Sequence, residues 1–409
     1  MIDVTDTAAT LREVVEALAP LERRAGSPGE ERAARWLAAR LSDAGCEAAV
    51  EAEKFLDGYA PLIGGLAAAS AAAGLAGLLP SLRKPAAAIA AGVAAAIADD
   101  VSNGPRLARR ATTKPRTTWN VVASCGDARA ERTLVVLAHH DAAPTGRIFD
   151  ERVQVWLGER FPGILERIDT SVPLWWPALG APAAVALGAA RDKRGLVLAG
   201  VAACLIETAI FADVARSPIV PGANDNLSAV AVLVALAERL RADPVEGLRV
   251  LLVSCGAEEV LQGGIYGFAA RHFPALDRER TWFLSLEAVG SPELVMVEGE
   301  GPVVMEDYHD RSFRDLVARA ADRADAPLRR GMRARNSSDA VIPSRAGYPI
   351  AMLASMDHNK ALCNYHQMTD TPENLDYTTV CQALVVAEAT ARELARSPWI
   401  GRAGRAPRA

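Results

Sequence analysis

Several features are scarce or missing in this sequence, and each absence narrows the interpretation. The cysteines, at positions 46, 125, 204, 255, 363 and 381, form no CxxC pair. We therefore expect free, buried thiols, as in a reducing compartment. No dense basic run is present, so the pattern argues against a nucleic-acid partner. The first twenty residues lack a basic region followed by a continuous apolar stretch, so no cleavable signal peptide is expected.

Apolar residues, by contrast, are abundant. They make up 50% of the 409 residues, while the formal net charge is only -5. This content is ample for one large domain or two smaller ones.

Strand and helix patterns alternate along much of the chain. A helix is expected at 5–18, and Ser27 is expected to cap a second helix that begins at Pro28. Strands are expected at 46–55, 118–124, 132–138, 248–254, 281–287, 293–298 and 350–354. Further helices are expected at 225–242, 262–272, 308–324 and 378–396. This alternation favours an α/β layered domain with a largely parallel or mixed sheet.

Two apolar segments interrupt that pattern, at 60–98 and 172–212. Each contains two apolar runs around a short basic turn, "SLRK" or "RDKR", and each is predicted to form a helical hairpin. Residues 60–79 would span about 30 Å as a helix, which suits a bilayer, whereas 85–98 would reach only about 21 Å. The alternatives are therefore membrane association, which we favour, and a soluble lid or dimerisation element. In either case the hairpins are expected to pack together beside the site described next.

Polar residues follow several of the predicted strands. "LVVLAHHDAAPTG" ends a buried strand on two histidines and an aspartate, and "CGAEE" ends another on two glutamates. Solvated loop residues or helix caps would explain each motif alone. Glu287, however, lies within an apolar strand, where a carboxylate without a partner is costly. The remaining candidates are Asp225 in "PGANDN" and His366 in "NYHQMTDTPENLD".

These motifs are expected to meet, because the carboxyl ends of strands in an open α/β sheet converge on one crevice. Imidazole and carboxylate ligands suit zinc. Several of them around a bridging carboxylate are typical of a two-metal hydrolase.

The motifs "AHHD", "PGANDN", "CGAEE", "SLEAVG" and "YHQMTDTPENLD" follow one another along the chain. In this order they resemble the co-catalytic zinc exopeptidase family, which includes the bacterial leucyl aminopeptidases and glutamate carboxypeptidase. "GSPGEERAARWLAARL" also resembles the family's N-terminal helix. The resemblance covers roughly 1–58, 118–146 and 216–400. It implies a three-layer αβα catalytic domain around a central mixed sheet. The domain would be interrupted by hairpin insertions at 59–117 and 147–215 and followed by a disordered tail at 401–409.

The resemblance also implies two zinc ions per chain and their ligands. His139, Asp225 and Glu287 would hold one ion. Asp225, Glu259 and His366 would hold the other, so that Asp225 bridges the pair.

Two further roles follow from the resemblance. Glu258 would be the general base that takes a proton from a metal-bound water, and Asp141 would orient His139. His140 is interpreted as a pocket-wall residue and not as a ligand.

The sequence departs from the family pattern in three places. Glu287 stands where the family commonly has aspartate. Ala340 replaces a histidine in "SSDA", and Asp339 is left out of the site for that reason. The 84-position gap between Asp141 and Asp225, usually a short loop, holds the second apolar segment.

The expected activity is hydrolysis of peptide bonds by an aminopeptidase. Alternatives are a carboxypeptidase or amidohydrolase acting on small peptides or acyl-amino acids, a glutaminyl-cyclising enzyme with one zinc, and a non-catalytic membrane scaffold. The catalytic domain is expected on the cytoplasmic side of a membrane, or in a soluble cytoplasmic protein. Oligomeric state and substrate side-chain preference stay open.

Overall fold

A mixed sheet of nine strands forms the centre of the catalytic domain. The computed structural model describes residues 4–152 and 169–396, together with 155, 156, 160 and 163. The strands are β1 (Glu47–Leu56), β2 (Pro115–Gly126), β3 (Thr133–His139), β4 (Arg249–Cys255), β5 (Thr281–Glu287), β6 (Glu293–Glu300), β7 (Glu306–Asp307), β8 (Arg329–Ala334) and β9 (Ile350–Met356). The tail predicted at 401–409 lies outside the described residues.

The strand order is β1-β2-β4-β3-β5-β9-β6-β7, with β8 paired to β6. Strands β4, β3, β5 and β9 are parallel neighbours, so their carboxyl ends lie at one edge. Their near-continuous burial, as in β3 and β9, is typical of strands covered on both faces.

Helices cover both faces of the sheet, which makes the αβα sandwich that was expected. One face packs on α1 (Val4–Leu18), α2 (Pro28–Asp43), α8 (Ser228–Ala242), α10 (Arg311–Arg323) and α12 (Tyr377–Arg396). The other face packs on α9 (Gly263–His272) and α11 (Val341–Arg345). The cap predicted for α2 is present, because the Ser27 hydroxyl accepts the backbone N–H bonds of Gly29 and Glu30.

Both apolar segments form helical hairpins. The helices are α3 (Tyr59–Ala76) and α4 (Arg83–Val101) in the first, and α6 (Trp176–Ala190) and α7 (Arg194–Val214) in the second. A short helix, α5 (Leu107–Thr112), follows the first hairpin. We call α3, α4, α6 and α7 the four-helix unit.

The four-helix unit has one shared core, as the hairpin prediction required. Small side chains from all four helices fill it, including Ala71, Ala90 and Val201. Glycines allow close approach: a Cβ on Gly74 would lie 2.5 Å from Val201 Cγ2. At its base, Tyr59 and Val101 pack with Ala257 and Val260 of the catalytic domain.

The expectation of free thiols is wrong for two of the six cysteines. Cys46 and Cys125 form a disulfide, whereas Cys204, Cys255, Cys363 and Cys381 are free. The bond joins β1 to β2 and follows from their register, since Glu47 lies opposite Ser124. Its loop encloses the first hairpin.

Candidate metal centre

Three neighbouring strand ends place acidic and imidazole side chains around one point. His139 is the last residue of β3, Glu287 is the last residue of β5, and Glu258 and Glu259 follow β4. Because β4, β3 and β5 are adjacent and parallel, these side chains project into the same crevice.

Asp225 lies between two histidines. It belongs to the segment Ala223–Leu227, which leads into α8 and contains a cis peptide bond between Asp225 and Asn226. Its Oδ1 is 3.3 Å from His139 Nε2, and its Oδ2 is 3.5 Å from His366 Nε2. Each carboxylate oxygen therefore faces a different imidazole, which is the arrangement of a bridging ligand.

A glutamate stands beside each histidine. Glu287 Oε1 lies 3.1 Å from His139 Nε2, and Glu259 Oε2 lies 3.1 Å from His366 Nε2. The structure thus brings together all five predicted ligands in two groups that share Asp225. One donor atom each from His139, Asp225 and Glu259 lies within 4.8 Å of the other two.

Several donor atoms at this point are buried without a hydrogen-bond partner among the described residues: Asp225 Oδ1, Glu259 Oε1 and His366 Nε2. Burying unpaired acceptors is costly, and a divalent cation removes that cost. Neutral imidazole and carboxylate oxygens are ligands that zinc prefers. The residues present therefore fit a zinc centre.

The metal-free site holds protons that a cation would displace. Burial lowers the pKa of His366, but Glu259 and Asp225 outweigh it and raise that pKa to about 10. Burial also lowers the pKa of His139. The negative charge of Glu287 outweighs that effect, so the pKa of His139 lies well above the usual value. Burial raises the pKa of Glu287 to about 7, partly offset by His139. Metal binding should therefore release protons.

Asp141 connects two of the strand ends. Its carboxylate oxygens accept the backbone N–H bonds of Glu258 and Glu259, at 3.0 and 3.1 Å. Its Oδ1 also lies 3.4 Å from His139 Nδ1. Asp141 therefore holds the turn that carries both glutamates, and its carboxylate lies beside the His139 ring, where the resemblance predicts an orienting partner.

Glu258 has different contacts from those of its neighbour Glu259. Its Oε1 accepts a hydrogen bond of 2.9 Å from Gln262 Nε2, and its Oε2 lies 3.9 Å from His139 Nε2. Gln262 is fixed in turn by donating to the Ser337 carbonyl oxygen, at 2.7 Å. Burial raises the pKa of Glu258 well above its usual range. A carboxylate of this kind, facing the substrate space, suits proton transfer.

Two cavities open beside Glu258. The first, which we call the methionine cavity, is lined by Met332, Met352 and Met356 and reaches Asp225 and Glu287. The second, which we call the helix-base cavity, lies under the four-helix unit. Its walls are mainly apolar, and it is lined by Tyr59, Trp175, Glu207, Ile210, Phe211, Val214 and His366, among others.

Sequence reasoning missed two residues that hold the site in place. Asp370 accepts the backbone N–H bonds of Asn224 and Asp225, at 2.6 and 3.1 Å. Arg23 is fully buried and donates to the carbonyl oxygens of His140, at 2.8 Å, and Pro221, at 2.7 Å. Arg23 thereby ties the end of β3 to the loop before Asp225, although it lies 117 and 198 positions away from these two acceptors in the sequence.

Two other residues differ from the sequence interpretation. His140 is fully buried, with Nδ1 2.9 Å from Ser254 Oγ, so it is a core side chain and not part of a pocket wall. Asp339, which was left out, is buried at 3% exposure beside the centre. Burial, together with the charge of Glu287, raises its pKa to about 8, although His139 opposes that shift.

Comparison with known proteins agrees with this geometry. A family model described as peptidase family M28 matches residues 207–390. The matched segment is similar to that family. The M28 segment contains four of the five candidate ligands and Glu258. The chain is accordingly a zinc-dependent peptidase. No curated protein matches the sequence.

Solved structures share the fold of this chain at low identity. A leucine aminopeptidase precursor from Bacteroides thetaiotaomicron has a TM-score of 0.56 and 13% identity over 94% of this chain and 96% of that one. An aminopeptidase from Aneurinibacillus sp. strain AM-1 has a TM-score of 0.53 and 15% identity, over 94% of this chain and 92% of that one. A glutaminyl cyclase from Bacteroides thetaiotaomicron has a TM-score of 0.55 and 12% identity, over 94% of this chain and 97% of that one.

Proposed function

We propose that this chain is a two-zinc aminopeptidase. The observation that carries the proposal is the position of Asp225, whose two oxygens face His139 and His366 at 3.3 and 3.5 Å. A single metal would need only one of these imidazoles beside the carboxylate. Two triads that share one carboxylate match the arrangement of paired-metal hydrolases.

His139, Asp225 and Glu287 would hold one ion, and Asp225, Glu259 and His366 the other. Zinc ions bound there would act as Lewis acids that polarise the scissile carbonyl and favour deprotonation of the attacking water.

Glu258 is the general base in this proposal. It lines both cavities, so a substrate that lies across them passes next to its carboxylate. Gln262 fixes Oε1, which leaves Oε2 to accept the proton of the attacking water and to return it to the leaving amine. Asp141 is a positioning residue, because it holds the Glu258–Glu259 turn through backbone bonds.

Recognition of a free amino terminus is supported by similarity of fold. Three solved structures with this fold carry the name aminopeptidase. Bound zinc ions would neutralise the carboxylates of Asp225, Glu259 and Glu287, so Glu258 would be the carboxylate of the centre that keeps its charge toward the substrate.

A glutaminyl cyclase is the second candidate, because three solved structures of the same fold carry that name. Cyclisation of an amino-terminal glutamine releases ammonia and cleaves no peptide bond. The two activities are therefore separable by their products. A carboxypeptidase or amidohydrolase acting on acyl-amino acids is the third candidate function for the same centre.

The test is a substrate panel on the full-length protein in detergent, loaded with zinc or stripped by a chelator. The panel holds aminoacyl amides, their N-acetylated counterparts, acyl-amino acids and glutamine-initiated peptides. Zinc-dependent cleavage of the free-amino substrates alone supports the proposal. Preference for the acetylated or acyl-amino acid substrates would make the chain a carboxypeptidase or amidohydrolase. Ammonia release without cleavage would make it a cyclase.

A further inference from the structure

The four-helix unit has an apolar exterior as well as an apolar core. We propose that it spans a lipid bilayer, with its two turns on the cytoplasmic side and the catalytic domain on the opposite, oxidising side. This proposal concerns the placement of the protein and does not depend on the peptidase activity.

The outer surface of the unit is apolar where a soluble protein would be polar. Three segments are long and apolar enough to cross a membrane, Tyr59–Ala76, Pro80–Val101 and Arg194–Val214, and fewer than half of the residues in each are buried. Large apolar side chains between 39% and 61% exposed lie on the unit, namely Leu75, Leu79, Leu82, Ile89, Leu187, Leu198, Leu205 and Ile206. An apolar surface of this size is normally buried against protein or lipid. Lipid can contact a helix bundle on all of its outer sides.

The lengths of α3 and α7 fit a bilayer, whereas α6, with 15 residues, is shorter. At 1.5 Å per residue, α3 spans about 27 Å and α7 about 32 Å, close to the hydrocarbon thickness of about 30 Å. Both turns lie at the end away from the catalytic domain, where Arg83 and Asp192 form an ion pair of 2.6 Å. At the other end, Trp176 is half exposed and donates its indole N–H to Pro302, as expected at a membrane interface.

Glu207 is an ionisable residue within α7, and its position is compatible with this placement. Its side chain is 6% exposed and lines the helix-base cavity, so it faces protein and not the outer surface. It also lies seven residues from the end of α7 at Val214, or about 10 Å along the helix. Ionisable groups in membrane helices characteristically face such interior cavities.

The turns carry the charge that sets orientation. Lys84, Arg191, Lys193 and Arg194 are all exposed there, beside the Arg83–Asp192 pair. Short loops rich in lysine and arginine stay on the cytoplasmic side. Anionic lipid headgroups of that leaflet also attract them.

Basic residues also lie near the opposite end, and some of them are engaged by the catalytic domain. Arg109 is fully buried against Asp100, and it also donates to the carbonyl oxygen of Val260 at 2.7 Å. Arg116 forms an ion pair with Asp57. Arg110 and Lys114 are exposed at this end, so the proposed orientation rests on the turns and the disulfide taken together.

The disulfide gives the same orientation independently. Cys46 and Cys125 join β1 to β2 in the catalytic domain. Disulfides persist in oxidising compartments and are rare in the cytoplasm. The sequence prediction of a cytoplasmic catalytic domain rested on the lack of a recognisable signal peptide, and we now propose the opposite side.

The orientation can be tested with reporters fused after the C-terminus of the full chain, in a host with an oxidising periplasm. The fused reporter follows α12 and so reports the side of the catalytic domain. We expect active alkaline phosphatase and non-fluorescent green fluorescent protein, with the protein extracted only by detergent. The reverse reporter pattern would overturn the orientation. Recovery in the soluble fraction without detergent would overturn the membrane placement.

A charge variant tests the role of the turns. Lys84→Gln, Arg191→Gln, Lys193→Gln and Arg194→Gln together should shift a substantial share of molecules toward the fluorescent orientation. The matched control changes four exposed arginines of the catalytic domain, Arg24, Arg32, Arg129 and Arg319, to glutamine. An unchanged reporter ratio in the turn variant, or an equal change in the control, would contradict the topogenic role.

Thiol counting tests the disulfide. Denatured wild-type protein should take up four maleimide labels without reductant and six after reduction, since four of the six cysteines are free. The Cys46→Ser and Cys125→Ser variants should each take up five in both conditions. Six labels on unreduced wild-type protein would show that the catalytic domain does not lie in an oxidising compartment.

Discussion

The carboxylate of Asp370 accepts the backbone N–H bond of Asp225, at 3.1 Å, and that of the preceding residue at 2.6 Å. The side chain of Asp225 therefore points to the centre, while its backbone is held by the carboxylate of Asp370. Burial raises the pKa of Asp370 to about 7, although these backbone bonds oppose the shift. The position of Asp225 between His139 and His366 thus depends on a residue that is not one of the candidate ligands.

Asp370→Asn should loosen that support. An asparagine oxygen accepts one of the two N–H bonds, while its amide group faces the other donor. Zinc affinity should fall by roughly 10–100-fold, the usual effect of losing such a partner. Zinc content after dialysis against a graded chelator measures this. Glu373→Gln, exposed in the same loop, is the control. Equal zinc retention in both variants would contradict the positioning role.

Glu258→Gln should separate proton transfer from metal binding. The variant keeps a side chain of the same shape beside Gln262 but cannot accept a proton. We expect full zinc content and a rate lower by roughly 10²–10⁴-fold. Glu279→Gln, on an exposed loop, controls for the loss of one carboxylate. Loss of zinc together with activity would instead make Glu258 a ligand.

Variants of Glu287 test whether the five candidate ligands form two triads, one for each zinc ion. Glu287→Ala should reduce the bound zinc toward one ion per chain, because His139 loses the carboxylate at 3.1 Å. Glu287→Asp should retain substantial activity, because it restores the residue that the related exopeptidases commonly carry. Metal analysis of both variants decides the point. Two tightly bound ions in the alanine variant would remove Glu287 from the ligand set.

Much of this site was predictable because strand ends carry local signals. His139 ends one strand, the glutamate pair comes shortly after another, and Glu287 stands out as a carboxylate in an apolar run. A parallel sheet brings such ends together whatever the intervening sequence. The large insertion between Asp141 and Asp225 therefore did not obscure the site.

The features that were missed depend on long-range contacts. Cys46 and Cys125 lie 79 positions apart, and only the register of β1 with β2 places them together. Asp370 is one of several acidic residues in "TDTPENLD", and nothing local marks it as the partner of Asp225. His140 follows a ligand in sequence, but the alternation of side chains along the strand turns it into the core.

The buried carboxyl group of Glu300 should make the stability of the folded protein depend on pH. It is buried in the wall of the methionine cavity, where Ser338 donates to its Oε2 at 3.0 and 3.1 Å. Burial raises its pKa from the usual 4.5 to about 8. Between these values the folded protein binds more protons than the unfolded chain. This group's contribution to stability is therefore complete below pH 4.5 and is lost as pH rises through 8.

Glu300→Gln should remove that dependence. Relative to the variant, the wild-type melting temperature in detergent should fall steadily as pH is raised from 5 to 8. Glu279→Gln, which changes an exposed carboxylate, should follow the wild type throughout. Parallel curves for wild type and Glu300→Gln would show that Glu300 does not carry the effect.

A pair of glycines in α7 tests the packing of the four-helix unit. A Cβ on Gly200 would lie 2.7 Å from the backbone nitrogen of Val185 and 2.8 Å from its Cγ2, so α6 and α7 would have to separate. A Cβ on Gly195 would have no described atom within 4 Å. Leucine raises helix propensity equally at either position, so any difference between the two variants reports packing.

Gly200→Leu should therefore destabilise the unit by about 1–3 kcal/mol, the usual cost of overpacking, while Gly195→Leu should be neutral or slightly stabilising. Thermal unfolding in detergent and protease sensitivity of the turn at 191–193 measure the effect. Zinc content should stay unchanged in both variants, because the centre is held by strand ends of the catalytic domain. If Gly200→Leu is tolerated as well as Gly195→Leu, the close α6–α7 contact that the structure gives the second hairpin is absent.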